Sequence, residues 1–60
     1  MLKYKVEENK KEVKILIKNT DTGEDFGLNT KYDKEHKNFD RKIVENKINY
    51  LEEIGYKEVK

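Results

Sequence analysis

The chain has no cysteine, proline or tryptophan, and serine, alanine and glutamine are missing too. Without cysteine there is neither a disulfide framework nor a thiolate zinc site to reinforce a small fold. Without serine or cysteine, the single histidine, His36, has no usual nucleophile to activate, and one histidine cannot build a multi-histidine metal centre. No apolar run is long enough to span a bilayer, and the N-terminus lacks the apolar core of a signal peptide. A soluble, cytoplasmic protein with no membrane partner is therefore expected. A charge excess of one sign is also lacking, since fourteen basic side chains face thirteen acidic ones. That balance excludes a strongly basic nucleic-acid binder and an acidic DNA mimic as descriptions of the whole chain.

What is present is charge and a thin set of apolar residues. Charged side chains make up 45% of the 60 residues and hydrophobic ones 33%, so the core must be small and residues 1–60 are read as one domain. A chain this short buries roughly 60% of the surface its unfolded form exposes, which leaves stability marginal. Small domains often recover the missing buried area by self-association, so a homodimer or another protein partner is expected. The heavy use of Lys, Glu, Asn and Ile suits a low-GC bacterial or phage genome.

The apolar residues are patterned. Leu2, Tyr4 and Val6 alternate with Lys3, Lys5 and Glu7, the period-two signature of a strand with one wet face, and a first strand is predicted from Leu2 to Glu8. Val13, Ile15 and Ile17 alternate in the same way and predict a second strand from Lys11 to Lys18. With only Asn9 and Lys10 between them, the two form an antiparallel hairpin, because a parallel pairing needs a longer crossover. Leu16 points away from the apolar face, either as an ordinary edge leucine or as a contact to a second subunit. Residues Asn19 to Asp25 read as a turn, with Gly23 supplying positive φ. Phe26 and Leu28 predict a short third strand antiparallel to the second, with Gly27 marking a bulge or a close backbone approach.

From Asn29 to Lys37 the polar stretch admits a loop, a short helix or the first turns of a longer one; a loop or frayed helical turn up to Asn38 is favoured. A helix is then predicted from Asn38 to Ile54, with Asn38 as N-cap, Asp40 in the first turn where the dipole favours an anion, and Gly55 as the C′ glycine. Tyr56 to Val59 read as a final strand. The expected fold is α+β, a three-stranded antiparallel sheet followed by one amphipathic helix and a short C-terminal strand, in the order β-β-β-α-β.

Chemical motifs are weak. Asp21-Thr22-Gly23 resembles the catalytic tripeptide of retroviral-type aspartic proteases, but such a site needs two carboxylates sharing a proton inside an apolar cleft, whereas this tripeptide sits in a polar turn. Asn19, Asp21 and Asp25 alternate like calcium ligands without the twelve-residue frame that an EF-hand requires. Glu52 and Glu53 are adjacent and face different directions on a helix, so they cannot flank one glycosidic bond. The three glycines form no phosphate-binding loop. No catalytic residue, cofactor or metal site is expected, and the chain is read as a non-enzymatic regulatory or accessory protein.

Two binding surfaces remain. The predicted helix is apolar over about half its circumference, with Phe39, Ile43, Tyr50 and Ile54 on one side, Val44, Ile48 and Leu51 on the other, and Lys47 between them. A lysine inside a buried stripe is costly unless its ammonium reaches water, so the surface is read either as one broad core contact past whose edge the Lys47 stem snorkels, or as divided, one half on the sheet and the other, around Val44, Lys47, Ile48 and Leu51, available to a protein partner. The alternative is nucleic-acid binding, through the sheet or through the basic segment Lys31, Tyr32, Lys34, Lys37, Arg41 and Lys42, where aromatics lie among cations. Asp33, Glu35 and Asp40 within that segment oppose phosphate approach.

Overall fold

A computed structural model describes residues 1–23 and 25–59. The elements run β1 (Leu2–Glu8), β2 (Glu12–Asn19), β3 (Gly27–Asp33), α1 (Arg41–Glu53) and β4 (Lys57–Glu58). They form one four-stranded sheet in the order β3-β2-β1-β4, antiparallel except for the β1–β4 pair, with a single helix on one face. The fold is thus α+β in the expected order. No helix among the described residues is long and apolar enough to cross a membrane.

Local chemistry explains the connections. The Asn9 side chain accepts hydrogen bonds from the amides of Lys11 (2.7 Å) and Glu12 (2.8 Å), closing the β1–β2 hairpin with an Asx turn. Asn19 does the same for the amide of Asp21 at 3.0 Å, and Gly23 takes φ +72°, so the expected turn is present as far as Gly23. Glu24, which the sequence reading included in that turn, lies outside the described residues. The N-terminus is tied down here as well, since the amide of Thr20 donates to the Met1 carbonyl at 2.8 Å.

The third strand corrects the reading of residues 29 to 33. They are neither loop nor helix but the main length of β3, with Thr30 opposite Ile15 and Tyr32 opposite Val13. Cross-strand pairing of β-favouring Thr and Tyr against buried branched residues outweighs the polar character of the segment. Only Lys34 to Asn38 form turns, in which the Asp33 carboxylate accepts the Glu35 amide at 2.9 Å and His36 Nδ1 accepts the Asn38 amide at 3.1 Å. The bulge expected at Gly27 lies two residues later. The register passes from Ile15↔Thr30 to Leu16↔Leu28, leaving Asn29 as the extra residue.

The helix starts later than predicted. Asp40, not Asn38, is the N-cap, and its carboxylate accepts the Lys42 amide at 2.9 Å. Asn38 is held two residues upstream in the His36 turn, while Phe39 and Val44 occupy the two positions of a hydrophobic staple, N′ and N4, and both join the core. The C-terminus ends as expected. Gly55 (φ +112°) donates to Glu52 at 3.2 Å and Tyr56 to Leu51 at 2.9 Å, the paired bonds of a Schellman motif. Tyr56 then packs against the core, and the chain runs beside β1 for two ladder residues.

The core consists of Tyr4, Val13, Ile15, Val44 and Leu51, with Val6, Ile17, Tyr32, Phe39, Ile48 and Tyr56 partly buried around it. Val44, Ile48 and Leu51 therefore form the half of the helix that covers the sheet, and the apolar surplus is the other half, Ile43, Tyr50 and Ile54, each 46–53% exposed. The flanks explain this rotation. Turned this way, Arg41 reaches Glu8 on β1 at 2.9 Å and Glu52 accepts the Tyr4 hydroxyl at 2.9 Å, so both polar partners of β1 are satisfied. The opposite rotation would press Tyr50, which needs a partner for its hydroxyl, into the core.

Candidate nucleic-acid interface

The face of the sheet away from the helix carries a segregated charge pattern. Strand alternation turns Lys3, Lys5 and Glu7 of β1 and Glu12, Lys14, Leu16 and Lys18 of β2 to that side, opposite the buried Tyr4, Val13 and Ile15. Across the strands, Lys57, Lys3 and Lys18 stand in one row, because Lys3 is the register partner of both others. Lys5, Leu16 and Leu28 form the next row, Glu7, Lys14 and Lys31 the third, and Glu12 and Asp33 the last. The carboxylates thus collect at the hairpin end of the face and the lysines toward the opposite end.

Ion pairing sharpens the division. Lys5 pairs with Glu7 at 3.7 Å, and Glu12 takes both Lys14 at 3.3 Å and Lys31 at 3.9 Å. Among the described residues, Lys3, Lys18 and Lys57 have no carboxylate partner. Phe26, immediately before β3, lies under this end of the face, with the ammonium of Lys5 4.7 Å and that of Lys18 5.6 Å from its ring centroid. The ring is half-buried and Leu28, opposite Leu16, is 58% exposed. A cationic rim around an aromatic and aliphatic floor is the arrangement that takes up phosphates and stacks bases.

The predicted basic segment is split by the fold. Lys31 is on the open face, whereas Tyr32 points to the helix side, where burial raises the pKa of its phenol. Lys34 and Arg41 both bind the carboxylate of Glu8, and their hydrogen bonds, that of Arg41 foremost, hold its pKa down at about 2. Lys37 is exposed in the turn and Lys42 on the helix. Those six residues do not form one surface. The partner-binding candidates are distributed similarly: Val44 and Leu51 are buried, Ile48 is partly buried, and Lys47 lies with its ammonium 5.5 Å from the Tyr50 ring centroid.

Sequence reasoning named the sheet but not Lys3, Lys5, Lys18, Phe26 or Lys57. The alternation already placed Lys3, Lys5 and Lys18 together; the displacement of the bulge and the pairing of β4 with β1, which bring in Phe26 and Lys57, carry no local signature. Elsewhere, Asp21 is an exposed carboxylate bound to the N-terminal ammonium at 2.8 Å. No cluster of three metal-ligating side chains occurs among the described residues. Comparison with protein families, curated proteins and solved structures gives no match.

Proposed function

We propose that the protein is a small non-enzymatic nucleic-acid-binding module that receives a single strand on the open face of its sheet. The observation that carries this reading is the row of Lys3, Lys18 and Lys57, unpaired among the described residues, at the end of the face where Lys5 and Lys18 lie over Phe26, with Glu7, Glu12 and Asp33 kept to the far end. The reading stands ahead of a partner bound at Val44 and Leu51 because those two side chains are buried. A half-buried ring on an open surface suits bases that are already unstacked, since stacking on aromatics tolerates any base.

Fluorescence anisotropy with labelled single-stranded oligonucleotides over a salt series tests it. Three or four phosphate contacts give a slope of roughly −2 to −3 in log K against log salt. Phe26→Ala should weaken binding about tenfold, since one stacked base contributes about 1–3 kcal/mol. Lys18→Glu and Lys57→Glu should weaken it and flatten the slope, while Lys37→Glu, on the far turn, leaves both unchanged. No anisotropy change at low salt, or binding that depends on Lys37 and not on Lys18, refutes the reading.

A further inference from the structure

The exposed half of α1 is a regular seam. Ile43, Lys47, Tyr50 and Ile54 follow one another at steps of four, three and four, the a/d spacing of a two-heptad coiled coil; Ile43, Tyr50 and Ile54 are exposed, and the partly buried Lys47 borders the sheet-facing Val44 and Leu51. The spacing reads the same in both directions. Two such helices placed antiparallel about a twofold axis set Ile43 against the partner's Ile54 and Lys47 against the partner's Tyr50, then repeat both contacts in reverse order.

We infer that this seam joins two copies of the chain through an antiparallel α1–α1 pairing. Three features select a second copy over an unrelated partner. The first is the palindromic spacing, since an isologous interface must be self-complementary. The second is charge, because the pairing brings Glu53 beside the partner's Asn46 and within reach of the partner's Lys42, while Lys47 meets an aromatic face of the kind it already contacts within its own chain. The third is shape. Beside Ile43 an apolar groove of about 290 Å³ opens between the helix and β3, lined by Tyr32, Phe39 and Ile43 among others, and the partner's Ile54 is delivered to it. The lysine at an a position fixes register and orientation at a cost in stability, and four seam residues span only roughly 17 Å of helix. The dimer is therefore weak and reversible. The inference is independent of the nucleic-acid reading, because it uses the opposite side of the molecule.

Sedimentation velocity on the full chain, from micromolar to millimolar concentration, reads it out. The wild type should shift reversibly toward a dimer. Lys47→Leu should tighten association about tenfold or more, and Ile54→Asp should give a monomer with unchanged circular dichroism. Glu53→Lys should weaken association several-fold, and combining it with Lys42→Glu should restore it. Orientation is tested by cysteine pairing, which the cysteine-free background makes clean. Under oxidation a mixture of Ile43→Cys and Ile54→Cys chains should form the mixed disulfide, and Ile43→Cys alone should not crosslink. A strict monomer in both wild type and Lys47→Leu overturns the inference. So does a dimer that survives Ile54→Asp, or efficient crosslinking of Ile43→Cys with itself.

Discussion

Leu51 and Ile54 are three residues apart in α1 and its cap, yet the fold assigns them opposite fates, which makes them a direct test of how the helix is rotated. Leu51 is 2% exposed and Ile54 48%. Truncating a buried leucine to alanine costs about 2–5 kcal/mol, transfer and cavity terms together. A 60-residue domain at roughly 0.05–0.15 kcal/mol per residue has only about 3–9 kcal/mol in total, so Leu51→Ala removes a large share of it. Ile54 loses about half of a transfer term of roughly 1.5–3 kcal/mol and leaves no enclosed cavity, so Ile54→Ala costs about 1 kcal/mol. With a urea m-value near 1 kcal/mol/M, the midpoint should fall by roughly 2 M or more for Leu51→Ala and by about 1 M for Ile54→Ala. Far-UV circular dichroism during urea titration, at concentrations low enough to hold the chain monomeric, measures both. Equal shifts, or a larger one for Ile54→Ala, would mean that the other half of the helix faces the sheet and would overturn the core described above.

Other expectations follow from single interactions. Asp40→Ala should cost about 1 kcal/mol by removing the N-cap, while Asn38→Ala should be close to neutral, and thermal melts of the two variants compare them. The pKa of Glu8, lowered to about 2 from the usual 4.5 by Arg41 and Lys34, makes its contribution to stability fully present above about 4.5 and lost as pH falls toward 2; in acid melts Glu8→Gln should flatten that part of the profile. The pKa of Tyr4 is pushed up to about 12, first by burial and then by its hydrogen bond to Glu52, so the neutral phenol stabilises the fold below pH 10 and that contribution is lost as pH rises toward 12. Ultraviolet titration should show a late tyrosine that Tyr4→Phe removes.

The elements with a strong period were readable without coordinates. β1 was bounded to the residue, because Leu2, Tyr4 and Val6 alternate without interruption, and Gly55 marked the helix end because few other residues adopt φ +112° without strain. The sequence is ambiguous where two local signals compete. Asn38 and Asp40 are both good caps, and the choice between them was made by Phe39, whose packing against the core sets where the helix can begin. Along residues 29 to 33 polarity points to a loop, but an edge strand needs only one inward-facing side chain in two, and the partly buried Thr30 and Tyr32 supply them.

The rotation of the helix and the composition of the open sheet face were hidden for a different reason. Counting around the helical circumference divides the apolar residues into two halves but cannot rank them, because the ranking comes from partners distant in sequence: Glu8 for Arg41 and Tyr4 for Glu52. The sheet face depends in the same way on one extra residue. Unbroken alternation would set Leu28 on the same side as Thr30 and Tyr32, beneath the helix. Asn29 interrupts it, so Leu28 comes opposite Leu16, and Phe26, two residues before Leu28, comes under Lys5 and Lys18. The cationic end of the face thus acquires its aromatic floor from a bulge with no apolar residue in it, while the core keeps Thr30 and Tyr32 on the correct side of the sheet.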